Sequence, residues 1–120
     1  MKAIIYHNPR CSKSRQALAL LEARGIDTDV VEYLKHAPDV ATLRALVGAL
    51  GRPVRDIVRR GEAAYEILGL AAKLDDDAAL IDAIAAHPVL LERPIVVVGN
   101  RAALGRPPEN VLALFEAGQS

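Results

Sequence analysis

The sequence predicts one α/β domain with a mixed sheet, in which a helical insert separates a β-α-β half from a β-β-α half. Two observations lead to this prediction: strand-like apolar runs stand near both ends of the chain, and helical apolar periodicity fills the middle. A length of 120 residues suits one domain, and 52% apolar residues suit a packed core. We therefore expect a single domain over residues 1–120, with the insert at about 38–88.

The first half reads as strand, helix and strand. Lys2–Tyr6 is a short buried strand that ends at the turn-prone His7-Asn8-Pro9. A helical pattern runs from Ser12 to Arg24, and Gly25 stops it. Asp29–Leu34 is rich in β-forming residues and is expected to be a second strand, parallel to the first across the intervening helix.

The middle of the chain is predicted to be helical. Pro38 suits the first position of a helix, and the Asp75–Asp77 run favours the start of another that continues to His87. Between these two helices, a short helix is expected to end at the pair Arg59-Arg60. The predicted helical segments are Pro38–Leu50, Val54–Arg60, Glu62–Leu68 and Asp75–His87.

The last half reads as a hairpin followed by a helix. Ile95–Val98 is a β-branched run, and Gly99-Asn100 permits a tight turn into Arg101–Leu104. Pro107-Pro108 then opens a final helix. The complete order is that of a thioredoxin-like fold with extra helices between its two halves. The alternative is a four-helix domain with incidental strands.

Composition excludes several classes of function. The 15 basic and 15 acidic residues give no net charge, which disfavours a broad nucleic-acid surface. No stretch approaches the roughly 20 apolar residues that span a bilayer, and no secretory signal pattern is present. Three scattered histidines and one cysteine have no metal-ligand spacing. We expect a cytoplasmic protein that binds no nucleic acid, membrane or metal.

The single cysteine, Cys11, stands where the first strand has ended and the first helix begins. Amide N–H groups and the helix dipole stabilise an anion there, which lowers a thiol pKa toward roughly 3.5–7.5. Positive charge is expected from Arg10, Lys13, Arg15 and His7. A lone cysteine is more often a small buried apolar residue, but these polar and basic neighbours favour a nucleophile.

The residues that follow, Ser12–Arg15, suit the first turn of a helix that binds an anion. The serines can equally be plain helix caps. Position 14 is serine, so the dithiol chemistry of a Cys-x-x-Cys motif is excluded. Because the chain has one cysteine, any second thiol must come from another molecule.

Arginines stand beside prolines at two predicted element boundaries. Arg93 precedes Pro94 at the start of the third strand, and Arg106 precedes Pro107 at the start of the final helix. The Arg93–Pro94 bond can be cis or trans, and the sequence leaves this open.

Three motifs in register resemble those of the glutaredoxin-coupled arsenate reductases. Tyr6–Arg15 is similar to their active-site motif, Glu92–Val97 to a second signature and Gly105–Glu109 to a third. The resemblance covers nearly the whole chain. It implies a thioredoxin-like fold with a helical insert, arsenate as substrate, glutathione as co-substrate, a glutaredoxin as partner and no bound cofactor.

The resemblance also implies roles for individual residues. Cys11 corresponds to the nucleophile, and Arg59, Arg93 and Arg106 correspond to three arginines that bind the oxyanion, with Arg60 as the alternative to Arg59. The supporting residues of the motif are His7, Asn8, Ser12, Ser14 and Arg15.

Two other functions stay open. Relatives of this fold bind RNA polymerase and regulate transcription under thiol stress, although such regulators often use the Cys-x-x-Cys that this chain lacks. A general glutathione-dependent reductase of protein thiols is the second alternative.

Overall fold

Residues 2–116 are described by a computed structural model, whose contacts group the chain into two units. One unit is built from the chain up to His36 and from Arg93 onward, and the other is Ala37–Glu92. The second unit covers the stretch in which the sequence predicts the helical insert. That the whole chain is one domain stays a prediction.

The first unit carries a four-stranded mixed sheet. Its strands are β1 (Lys2–His7), β2 (Asp27–Glu32), β3 (Ile95–Val98) and β4 (Arg101–Leu104). Among the described residues the order is β2-β1-β3-β4; β1 is parallel to β2 and antiparallel to β3, and β3 is antiparallel to β4. The α/β prediction with a mixed sheet is confirmed, and the four-helix alternative is wrong.

Two helices complete the core of this unit. Helix α1 (Ser12–Ala23) and a 3-10 helix (Pro108–Phe115) contribute buried apolar residues to one cluster with the sheet. Alternation along the strand explains why Ala3 and Ile5 of β1 both join this cluster. Burial of a Leu, Ile or Val side chain contributes about 1.5–3 kcal/mol, so the cluster anchors the β1–α1 connection. Its buried members are Ala3, Ile5, Ala17, Leu21, Val96, Val111 and Leu114.

Two elements of this unit differ from the sequence prediction. The second strand was expected at Asp29–Leu34 but lies at Asp27–Glu32, because its ladder with β1 begins at the Lys2–Asp27 pair. It is an edge strand, so its apolar residues do not need to be covered, and Val30 is 46% exposed. The final helix, which was predicted to open at Pro107-Pro108, begins at Pro108 and is a 3-10 helix.

The second unit is helical, as predicted. It contains α2 (Val40–Leu50), α3 (Ala63–Ile67) and α4 (Asp77–Ala86), connected by short 3-10 turns. Asp76 caps α4, since its carboxylate accepts a hydrogen bond from the Ala79 N–H at 3.1 Å. The 3-10 turns are Val54–Ile57, Leu70–Lys73 and Pro88–Leu90.

Two boundaries in the second unit correct the sequence prediction. Pro38 lies before α2, not at its first turn, because Asp39 is the cap and accepts from the Thr42 N–H at 2.8 Å. The pair Arg59-Arg60 does not end a helix, because Val58 already forms an antiparallel bridge with Leu91. None of the helices among residues 2–116 has the length and apolar character to cross a bilayer.

Candidate active site

Cys11 lies at the N-terminal cap of α1, in an extended conformation with φ −94° and ψ 121°. Its N–H donates to the Asn8 carbonyl at 3.0 Å, and its own carbonyl accepts from the Arg15 N–H at 3.0 Å. The Asn8 side-chain oxygen accepts from the Arg10 N–H, also at 3.0 Å. The cysteine is partly exposed. The loop therefore presents the thiol at the start of the helix, where the sequence predicts it.

The surroundings of the sulfur favour a thiolate. Burial alone would raise the pKa of the Cys11 thiol, but hydrogen bonds from the Ser14 N–H, the Arg93 side chain and the Lys13 N–H outweigh this effect. The charge of Arg93 adds to them, and the pKa is lower than that of an ordinary cysteine. The two N–H groups belong to the first turn of α1, where amides have no partner within the helix. The helix start and one arginine thus account for the acidity of the thiol.

The positive charge next to the Cys11 sulfur belongs to a residue that is distant in sequence. Sequence reasoning expected positive charge from the neighbours of Cys11, whereas the stabilising charge is that of Arg93. For His7 the expectation was wrong: burial lowers the pKa of this imidazole most, Glu32 opposes the effect and Arg15 adds to it. A lowered pKa means that His7 carries less positive charge than an ordinary histidine does at the same pH.

A second interaction fastens the loop to the helix. The Ser14 hydroxyl lies 2.6 Å from Nδ1 of His7 and accepts a hydrogen bond from the Asn8 N–H at 3.1 Å. Ser14 is fully buried and His7 is nearly so. Ser12, in contrast, is exposed at the first helical position. Arg15 braces the outside of the loop, since its guanidinium donates to the Pro9 carbonyl at 2.8 Å.

Replacement of Ser14 by alanine is expected to destabilise the protein by about 1–3 kcal/mol, because His7 and the Asn8 N–H both lose a buried partner. Replacement of the exposed Ser12 by alanine, the matched control, should change stability by no more than about 0.5 kcal/mol. Urea unfolding followed by circular dichroism measures both. Equal losses in the two variants would contradict a specific role of the buried hydroxyl.

Arg93 and Arg106, the two arginines that precede prolines, are joined by a hydrogen bond. The bonds Arg93–Pro94 and Arg106–Pro107 are both cis, which answers the question that the sequence leaves open. Nε of Arg106 donates to the Arg93 carbonyl at 2.9 Å, and the Gly105 N–H donates to the Pro94 carbonyl at 2.8 Å. A Cβ at Gly105 would lie 2.6 Å from Cγ of Pro94, so this close approach requires glycine. The structure therefore places the Arg106 side chain next to the main chain of Arg93, whose own side chain contacts Cys11.

Arg59 belongs to the second unit. Its Nε lies 3.2 Å from the Glu62 carboxylate and its Nη1 lies 2.7 Å from that of Glu92. Burial would lower the pKa of this guanidinium, but the two carboxylates outweigh it and raise the pKa. Arg60 is exposed. The sequence did not lead us to predict Glu62 or Glu92 as an ion-pair partner of Arg59. The position of Glu62, three residues after Arg59, could have indicated the first of these pairs. Binding of an oxyanion by Arg59 or Arg60 stays a prediction.

No group of three or more histidine, cysteine, aspartate or glutamate side chains is placed to hold a metal ion within residues 2–116. The residues that the structure brings together around Cys11 are amide and guanidinium donors, which suit an anion.

Comparison with known proteins identifies close relatives. The ArsC family model matches residues 6–114. A Neisseria meningitidis serogroup A protein named arsenate reductase is 50% identical over 112 residues, which are 92% of this chain and 96% of that protein. Uncharacterized protein YfgD of Escherichia coli K12 is 49% identical over 111 residues, 92% of this chain and 93% of its own length.

A solved structure of arsenate reductase from Vibrio cholerae resembles this one closely. The TM-score is 0.90 at 49% sequence identity, and the match covers 94% of this chain and 97% of the other. This similarity confirms the thioredoxin-like fold that the order of elements predicts.

Proposed function

The chain belongs to the ArsC family, and from this premise we propose that it reduces arsenate to arsenite through the Cys11 thiolate. The observation that carries the proposal is the position of the Cys11 sulfur, which accepts hydrogen bonds from two helix-start amides and from the Arg93 side chain; these donors lower the pKa of the thiol. The names of the relatives from Neisseria meningitidis and Vibrio cholerae support the choice of substrate.

In the first step the sulfur of Cys11 attacks arsenic. An S–As bond forms, an As–O bond breaks, and the departing oxygen leaves as water after it takes up protons. Arsenic keeps its oxidation state in this step. The donors at the sulfur also face the oxygens of the incoming anion, and a planar guanidinium such as that of Arg93 suits a tetrahedral oxyanion. Arg106, in the same unit, is the further arginine of the proposed oxyanion site; a part for Arg59 or Arg60 stays a prediction from the resemblance.

The second step requires a thiol that the chain does not contain, because Cys11 is its one cysteine. Glutathione supplies that thiol. Two electrons pass from the two sulfurs to arsenic, which leaves as arsenite, and the sulfurs end as a mixed disulfide between Cys11 and glutathione. A glutaredoxin with a second glutathione then reduces this disulfide and restores the thiol. The protein itself holds no cofactor in this scheme, and a reducing cytoplasm is the compartment that suits it.

A coupled assay tests the proposal. It contains NADPH, glutathione, glutathione reductase, a glutaredoxin and arsenate, and we expect NADPH oxidation that depends on arsenate, glutathione and glutaredoxin together. Full turnover with thioredoxin alone would overturn the external glutathione step.

No arsenate-dependent turnover by the folded protein would overturn the proposal as a whole. Activity on a glutathionylated peptide, unchanged in Arg93→Ala and Arg106→Ala, would then favour the protein-thiol reductase. Recovery of RNA polymerase subunits with the protein would favour the regulator.

A further inference from the structure

Two short segments of the first unit, Arg93-Pro94 and Gly105-Arg106, are joined by two hydrogen bonds. The Gly105 N–H donates to the Pro94 carbonyl, and Nε of Arg106 donates to the Arg93 carbonyl. Both bonds end on main-chain carbonyls of the first segment. They therefore fix the stretch of main chain that carries the Arg93 guanidinium.

The close approach of the two segments leaves no room for a side chain at position 105. A Cβ there would lie 2.6 Å from Cγ and 3.3 Å from Cδ of Pro94, and 3.2 Å from Cγ1 of Val111. Neither neighbour gives way easily, because the buried Pro94 ring is closed onto the main chain and Val111 is fully buried in the core cluster. Gly105 does not have the positive φ that would by itself favour glycine. Glycine is thus required here by contact alone.

This contact bears on the Cys11 sulfur through one residue. An alanine at position 105 must displace Pro94, and Arg93 moves with it because a rigid peptide bond joins the two. The Arg93 side chain donates a hydrogen bond to the sulfur, and such a bond weakens when its distance or direction changes. The other two donors at the sulfur are amides of the first turn of α1, which the helix itself places.

We propose that Gly105 and Nε of Arg106 are positioning groups that hold the Arg93 guanidinium against the Cys11 sulfur. Gly105 does this by leaving room for the Pro94 ring, and Arg106 by its hydrogen bond to the Arg93 carbonyl. Arg106 thereby supports the thiolate before any oxyanion is bound. The proposal rests on the proposed function, in which Cys11 is the nucleophile, and adds the residues that prepare it.

Alkylation of Cys11 by iodoacetamide, measured against pH without arsenate, tests this positioning. At pH values below the wild-type pKa, Gly105→Ala should react about threefold more slowly, because a weaker hydrogen bond from Arg93 raises the pKa of the thiol. Gly48→Ala is the matched control, since Gly48 is exposed on α2 and a Cβ there would have nothing within 4 Å; its profile should equal that of the wild type. Thermal unfolding followed by circular dichroism establishes that each variant is folded. An unchanged profile in folded Gly105→Ala would overturn the proposal.

Arg106→Lys tests the same positioning without adding a group in a crowded place. Lysine keeps the positive charge but has a carbon where arginine has Nε, so the Arg93 carbonyl loses its donor. This variant should also be alkylated about threefold more slowly below the wild-type pKa. If Gly105→Ala does not fold, the profile of Arg106→Lys decides, and an unchanged profile overturns the proposal.

A double-mutant cycle separates positioning from a general disturbance of the site. In Arg93→Ala the group to be positioned is absent, so the further change Gly105→Ala should leave the alkylation profile as it is. Equal slowing with and without the Arg93 side chain would overturn the proposal, because position 105 would then act on the thiol by another route.

The positioning and the function on which it rests can fail separately. The alkylation experiments contain no arsenate. Unchanged profiles in variants of an enzyme that reduces arsenate in the coupled assay would overturn the positioning and leave the function intact. The expected profiles in a protein that does not reduce arsenate would overturn the function and support the positioning of Arg93.

Discussion

Replacement of Cys11 by serine is expected to abolish arsenate-dependent NADPH oxidation and leave the fold intact. A serine hydroxyl is almost wholly protonated at neutral pH, so it attacks arsenic poorly, and it cannot form the disulfide that supplies the electrons. The substitution removes little packing, because Cys11 is partly exposed at a helix cap. Serine is also a favoured cap residue. We therefore expect a melting temperature within about 3 °C of the wild-type value.

Two measurements on one preparation check this expectation. The coupled assay gives the rate, and thermal unfolding followed by circular dichroism gives the melting temperature. Cys11→Ala, which offers neither a nucleophile nor a cap, serves as the second variant and should be equally inactive. A drop of 10 °C or more in Cys11→Ser would contradict the reading of Cys11 as a nucleophile and indicate a buried structural residue instead. Retained activity would place the reacting group elsewhere.

Local sequence signals predicted the elements that depend on neighbours in the chain. The β-branched run at Ile95–Val98 and the turn at Gly99-Asn100 gave the hairpin, and Gly99 has the positive φ of 61° that such a turn uses. The acidic run before α4 predicted its start because a carboxylate caps free N–H groups within three residues. The position of Cys11 between β1 and α1 followed from the same kind of signal.

Features that depend on long-range pairing were harder to predict. The edge strand β2 is placed by its register with β1, so its apolar residues misled the prediction by two positions. Val58 forms a bridge with Leu91, a residue distant in sequence, and this ended the predicted helix early. In both cases a partner outside the local window decides where the element ends.

In the candidate site, too, some features follow from neighbouring residues and others depend on contacts between residues distant in sequence. The helix-start amides at Cys11 could be expected from its neighbours, but the contact with Arg93 depends on the pairing of β3 with β1. The buried bond between His7 and Ser14 joins residues seven apart, across a loop whose path the sequence does not specify. The motif resemblance therefore assigned the arginines before any physical argument could place them.

Replacement of Arg93 by alanine is expected to raise both the pKa of Cys11 and the KM for arsenate. In the wild type, Arg93 donates a hydrogen bond to the sulfur and contributes a positive charge, and both favour the thiolate. Without them the deprotonated form loses stabilisation, so the pKa moves upward. A charge-assisted hydrogen bond contributes about 1.5–3 kcal/mol, which corresponds to a rise in KM on the order of tenfold to a hundredfold. The fold should persist, because the main-chain carbonyl that accepts from Arg106 is still present.

The rate of alkylation of Cys11 by iodoacetamide, measured against pH, reports the pKa without arsenate. The rate follows the thiolate fraction, so at pH values near and below the wild-type pKa the variant should react more slowly, and at pH values well above both pKa values the rates should converge. Arg93→Lys retains the charge but not the planar donor group, and its profile should lie between the two. Arg44→Ala, at an exposed position on α2, is the control for loss of an arginine and should match the wild type.

An unchanged alkylation profile together with an unchanged KM in Arg93→Ala would show that the thiolate and the oxyanion depend on the helix start alone. An altered profile with an unchanged KM would confine Arg93 to the thiol and leave the binding of the oxyanion to the other arginines.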